Sequence, residues 1–86
     1  MSYHINFKPA AFRQIQRLSK SVQKRISQKI ETLAVNPLPD GVKKLAGEEG
    51  FYRVRVGDYR IIYTIDGGEM IILIITIGHR REIYRR

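Results

Sequence analysis

Phe51-Tyr52-Arg53-Val54-Arg55-Val56-Gly57-Asp58-Tyr59-Arg60-Ile61-Ile62-Tyr63-Thr64-Ile65-Asp66 is the stretch whose reading decides the fold. Two runs rich in β-branched and aromatic residues flank a Gly-Asp pair, the composition of a two-residue hairpin turn. Such a turn pairs Val56 with Tyr59, and hence Arg55 with Arg60. Side chains alternate along a strand, so Arg53, Arg55 and Arg60 share one face. Like charges directly opposite one another destabilise a sheet. The arrangement makes sense if an anion lies over that face, and the planar fork of arginine suits phosphate.

C-terminal to the hairpin, Asp66-Gly67-Gly68-Glu69 reads as a second tight turn. The strand after it, Glu69–Ile77, is apolar on both faces, as expected of a central strand. Counting back from this turn sets Arg60 opposite Ile75. Gly78 then emerges near the Gly57-Asp58 end, and the tail that carries Arg80, Arg81, Arg85 and Arg86 leaves beside the hairpin arginines.

On the N-terminal side, Ser2–Phe7 alternates Tyr3, Ile5 and Phe7 against Ser2, His4 and Asn6, the period of a half-buried strand. Pro9 suits a first helical turn, and Ala11, Ile15 and Leu18 follow at helical spacing. Ser21 is the expected N-cap of a second helix, whose stripe is Val22, Ile26, Ile30 and Leu33. Asn36-Pro37 ends it, because the residue before a proline is driven out of helical geometry. The two helices read as an antiparallel helical hairpin. A connector, Pro37–Gly50, leads back to the first quoted strand. The order is β-α-α-β-β-β in one domain, residues 1–86. It is an α+β fold in which the helical hairpin covers one face of an antiparallel sheet and the arginines occupy the other.

Sixteen Lys and Arg against eight Asp and Glu leave the chain at +8. That balance favours nucleic acid, an anionic surface or an acidic protein partner. With no cysteine, disulfides and thiolate chemistry are excluded. His4 and His79 have no companions at ligand spacing, so neither a metal nor another cofactor is expected, and His4 reads as structural. The N-terminal residues lack the pattern of a signal peptide. The apolar run Met70–Ile77 falls far short of the roughly 20 residues of a membrane span, so a cytoplasmic protein without membrane contact is expected.

Three stretches carry a family resemblance: Val42-Lys43-Lys44-Leu45-Ala46-Gly47, Tyr52–Tyr63, and Gly78-His79-Arg80-Arg81-Glu82-Ile83-Tyr84. Together with the element order they make the chain resemble, over essentially its full length, the RelE/ParE superfamily of type II toxin–antitoxin toxins. The resemblance implies a microbial-RNase-like fold. For the RelE-like branch it also implies an mRNA endonuclease (an mRNA interferase) that works only inside the ribosome, inhibits translation and is held silent by a cognate antitoxin. That antitoxin would be RelB-like or another small acidic protein, in a hetero-oligomeric complex.

By motif position, the family's basic residues fall on Arg53, Arg55, Arg60, His79 and Arg80, and its tail tyrosine on Tyr84. The implied chemistry is attack by the RNA's own 2′-hydroxyl. It needs that oxygen deprotonated, the phosphorane charge stabilised and the leaving 5′-oxygen protonated. Arg53, Arg55 and Arg60 would clamp the phosphate, Arg80 would serve the leaving oxygen, and Tyr84 would stack on a base or orient the nucleophile. Some family members carry lysine at the positions of Arg53 and Arg55. Arginine, with a pKa above about 12, is a poor base. That turns attention to His79, with Tyr84 as the other candidate. Lys43, Lys44, Arg81, Arg85 and Arg86 would add salt-sensitive attraction for mRNA and ribosomal phosphates. Two alternatives stay open: a ParE-like toxin that poisons DNA gyrase without doing chemistry, and a nucleic-acid-binding module that does not cut.

Overall fold

A five-stranded sheet, with both helices on one face, organises the computed structural model, which describes residues 2–45, 47 and 50–79. The elements in chain order are β1 (His4–Phe7), α1 (Pro9–Gln16), α2 (Lys20–Val35), β2 (Lys43–Lys44), β3 (Phe51–Val56), β4 (Tyr59–Asp66) and β5 (Ile71–His79). Across the sheet the order is β1-β5-β4-β3-β2. The expected order therefore holds, with one addition. β2, only two residues long, pairs antiparallel at the far edge, Lys43 opposite Arg53 and Lys44 opposite Tyr52.

The expectation of an antiparallel sheet needs correction. β1 runs parallel to β5, with His4 opposite Ile71 and Phe7 opposite Ile74. A parallel neighbour needs a crossover, and everything from α1 to β4 intervenes between these two strands.

The helices form for the reasons their sequences suggest, with one shift of boundary. Pro9 opens α1. The N-cap of α2 is Ser19 rather than Ser21: its hydroxyl accepts from the Val22 amide at 3.4 Å. Ser21 lies inside the first turn. The link between the helices is tied by Gln23, whose side-chain amide donates to the Leu18 carbonyl at 2.9 Å. Ile26, Ile30 and Leu33 are buried, and Val22 packs against them. They meet Val54, Ile61, Tyr63, Ile72, Ile74 and Ile77 from the sheet. Ala11 and Ile15 bring α1 into the same core. Tyr63 is fully buried and reaches through this layer, its hydroxyl donating to the Pro37 carbonyl at 2.6 Å and so pinning the connector after α2.

The β3–β4 hairpin has the register its turn dictates: Val56 opposite Tyr59, Arg55 opposite Arg60, Arg53 opposite Ile62. Gly57 takes φ +61°, the conformation for which glycine is chosen at the first position of such a turn. The β4–β5 hairpin departs from expectation. Its connection is the four residues Gly67–Met70, so Asp66 faces Ile71 rather than Glu69. The Asp66 carboxylate accepts from the Glu69 amide at 3.0 Å, and Met70 adopts φ +56°. A bulge between Ile62 and Tyr63 shifts the register once more, leaving Arg60 opposite Gly78 instead of Ile75.

Candidate nucleic-acid interface

Each strand of the basic surface places its residue by simple alternation. Val54 and Ile61 point into the helix-covered core, so Arg53, Arg55 and Arg60 point to the other face. Lys43, opposite Arg53, joins them from the edge strand, and Thr76 lies opposite Ile62 in the same row. The next row is Arg55, Arg60 and Gly78. Gly78 has no side chain to compete for the space above it. Arg55 is exposed, whereas Arg60 is only 5% exposed, and its guanidinium donates to the Tyr59 carbonyl at 3.3 Å. A buried guanidinium beside an exposed one gives the face a fixed cation and an adaptable one.

Lys44 shares the parity of Tyr52, so it belongs to the helix side of the edge. Arg80, Arg81, Tyr84, Arg85 and Arg86 lie outside the described residues.

His79 does not join the arginines. It pairs with Tyr59, and both carry the parity of Ile61 and Ile77, so its ring lies on the helix side of the sheet. There it meets the Tyr59 ring edge to face, with centroids 5.6 Å apart. Between this pair and α1 opens a cavity of about 450 Å³, lined by Gln14, Arg17, Leu18, Tyr59, Ile77 and His79. β1 has ended at Phe7 by this point, and the Ile77 amide bonds to the Gln14 side chain instead, donating to Oε1 at 2.8 Å. Sequence reasoning missed this cavity. The signal available was Gln14 on α1 and, three residues on, Arg17 at its C-cap, on the flank turned toward the end of β5.

Burial acts most strongly on Tyr63, whose hydroxyl is pushed from its ordinary 10.0 up to about 12 by desolvation first and by neighbouring Tyr52 second. That group belongs to the core and takes no part in the basic face. Among the described residues no three His, Asp or Glu side chains gather to hold a metal, and no helix is long and apolar enough to cross a membrane.

A small mixed sheet backed by two helices is the architecture of RelE-type toxins of type II toxin–antitoxin systems. Residues 5–84 match the family described as the ParE toxin of type II toxin–antitoxin systems, parDE, and the chain belongs to that family. Within the superfamily it is RelE-like. It is 33% identical to toxin RelE of Mycobacterium tuberculosis, the match covering 96% of this chain and 87% of that protein. Toxin RelG of the same organism is 29% identical over the whole of both chains. The solved archaeal RelE–RelB complex from Pyrococcus horikoshii contains a chain that superposes with a TM-score of 0.81, at 29% identity, covering 93% of this chain and 97% of that one.

Proposed function

We propose that this toxin is a ribosome-dependent mRNA endonuclease of the RelE type. The observation that carries the reading is the direct pairing of Arg55 with Arg60, on a face shared with Arg53 and Lys43. Two guanidinium groups opposite each other repel, and a phosphate between them turns that repulsion into a clamp. In the cleavage step the RNA's 2′-oxygen loses its proton and attacks the adjacent phosphorus. A cyclic phosphate forms and the 5′-oxygen departs with a proton. The clamp stabilises the extra negative charge of the phosphorane, the kind of stabilisation whose removal costs about 10²–10³-fold in rate. Arg80 serves the leaving oxygen. His79, on the opposite face, is not part of the reacting centre in this reading, which leaves Tyr84 as the group that orients or activates the nucleophile. The ribosome supplies the geometry, holding the mRNA in line for attack.

Regulation follows from the same surface. A RelB-like antitoxin with acidic segments, folding upon the chain in a hetero-oligomeric complex, neutralises the arginines with carboxylates. The assembly belongs to the cytoplasm, where ribosomes are.

Primer extension on an mRNA programmed into ribosomes tests the proposal, with wild type beside Arg60→Ala and Arg80→Ala. Ribosome-dependent cuts are expected from wild type and from neither variant, with ribosome binding retained in both. A folded wild-type chain that makes no cuts overturns it. The ParE description of the matching family gives the competing reading, a toxin that poisons gyrase without chemistry. Gyrase-dependent DNA breaks in the presence of this chain would favour it.

A further inference from the structure

On the side of the sheet away from the arginine clamp, we propose that the cavity between α1 and the ends of β4 and β5 binds a single nucleotide of RNA. Its base would lie between the aromatic wall and the apolar floor, with its phosphate on Arg17. The proposal goes beyond cleavage, because a chain that never cut RNA would still carry this pocket.

Four features converge on a nucleotide. The volume, about 450 Å³, lies within the range of small-molecule pockets, roughly 300–1,000 Å³. Tyr59 and His79 supply aromatic surface and Leu18 and Ile77 an apolar floor, the composition on which unpaired bases stack. Arg17 borders the cavity, and among the described residues its side chain forms no ion pair or hydrogen bond. Gln14 is oriented: its Oε1 is taken by the Ile77 amide, which leaves the two Nε2 hydrogens as donors. With one lone pair of its carbonyl engaged and the amide thereby oriented, Gln14 keeps its Nε2 donors for a ligand, and Arg17 is a donor by nature. A base edge that presents acceptors fits such a wall, as guanine does with O6 and N7, whereas the same edge of adenine brings its own donor. An acidic peptide would satisfy Arg17 but makes poorer use of two aromatic rings and an oriented amide.

Titration of the full chain with 5′-GMP, 5′-AMP and inorganic phosphate, followed through the backbone amides of Gln14, Leu18 and Ile77 by NMR, tests the proposal. Saturable shifts are expected with 5′-GMP, with a Kd on the order of 1 mM for one stacked base and one phosphate. Binding of 5′-AMP should be weaker. Gln14→Glu retains an acceptor for the Ile77 amide while replacing the donors with a carboxylate oxygen, so the fold survives and the affinity should fall at least about tenfold. Arg17→Ala should do the same, and Arg55→Ala on the other face should leave these shifts unchanged. Equal shifts from inorganic phosphate, insensitivity to Gln14→Glu, a preference for 5′-AMP, or response only to an acidic peptide would each overturn the proposal. Loss of cleavage plays no part in the readout, so failure here is separate from failure of the endonuclease reading.

Discussion

The two hairpins that share β4 are built to different rules. β3–β4 closes with two residues and runs as an unbroken ladder from Val56–Tyr59 to Phe51–Thr64. β4–β5 closes with four residues and carries a bulge between Ile62 and Tyr63. The first hairpin sets the arginines opposite one another. The second decides what stands beside them, and by its bulge brings Gly78 rather than a side chain next to Arg60. Bulges re-aim side chains and recur next to active sites. In this molecule the regular ladder supplies the charge and the irregular one supplies the room.

Deleting one residue from each hairpin tests that contrast most severely. Removal of Val54 flips Phe51–Arg53 to the opposite faces, turning Arg53 into the core and Tyr52 out of it, and the variant should show no cooperative melt by circular dichroism. Removal of Ile75, the extra residue at the bulge, leaves every pairing from Ile62–Thr76 to Tyr59–His79 on its present face. That variant should fold and melt cooperatively. Failure of both alike would show that the bulge is not the point of tolerance.

A smaller perturbation addresses the tight turn. Gly57→Ala asks a residue with a side chain to hold φ +61° and brings its methyl within 2.8 Å of the Arg25 guanidinium. Arg25 can swing aside, so backbone strain dominates, and denaturant melts should show a loss of about 1–2 kcal/mol. The equivalent Gly67→Ala in the longer loop, where an added methyl meets nothing within 4 Å, should cost less.

Tyr63, opposite Tyr52 on the regular side and Ile74 on the irregular one, joins the two hairpins to the connector. Tyr63→Phe removes its bond to Pro37 and should cost about 1 kcal/mol in urea unfolding. The sign of its pH dependence follows from the raised pKa. The folded chain holds the phenolic proton more tightly than the unfolded chain. The stabilisation is therefore complete below pH 10.0 and is lost as pH rises to about 12. Tyr63→Phe should lack that part of the alkaline decline.

The smallest effect is the most pointed. Arg55→Thr relieves the repulsion with Arg60 and should raise stability by about 0.2–1 kcal/mol, while cleavage on the ribosome falls about 10²-fold. A variant that loses both stability and cleavage would mean that Arg55 is held by the fold rather than by its ligand.

The same two hairpins explain what could be read from the sequence. A two-residue turn admits one register, so Arg55 opposite Arg60 followed from Gly57-Asp58 alone. The helical stripe of Ile26, Ile30 and Leu33 was legible because period and burial coincide. The β4–β5 register was not. Two additional loop residues moved the pairing without changing which face each residue of β5 takes, since alternation has period two. The bulge then added one more residue, and an odd shift reverses every face beyond it. Counted from the tight turn, His79 fell with Arg60; in the molecule it falls with Tyr59. Nothing local marks the bulge, because Thr76, Ile75 and Ile74 are equally at home in a regular strand. The parallel pairing of β1 was hidden for another reason. Its partner lies at the other end of the sheet-forming sequence, and a short alternating run carries no mark of direction.

That parallel pair also sets a schedule. β1 precedes every other element, and β5, the strand it must lie against, follows them all. During synthesis the first strand waits, with its edge unmatched, until the last has been made. β5 is also the strand that joins β1 to β4 and places Gly78 beside Arg60. Contacts this distant along the chain are slow to form and form late. The basic face of this toxin is thus completed only once the last of its strands has been made.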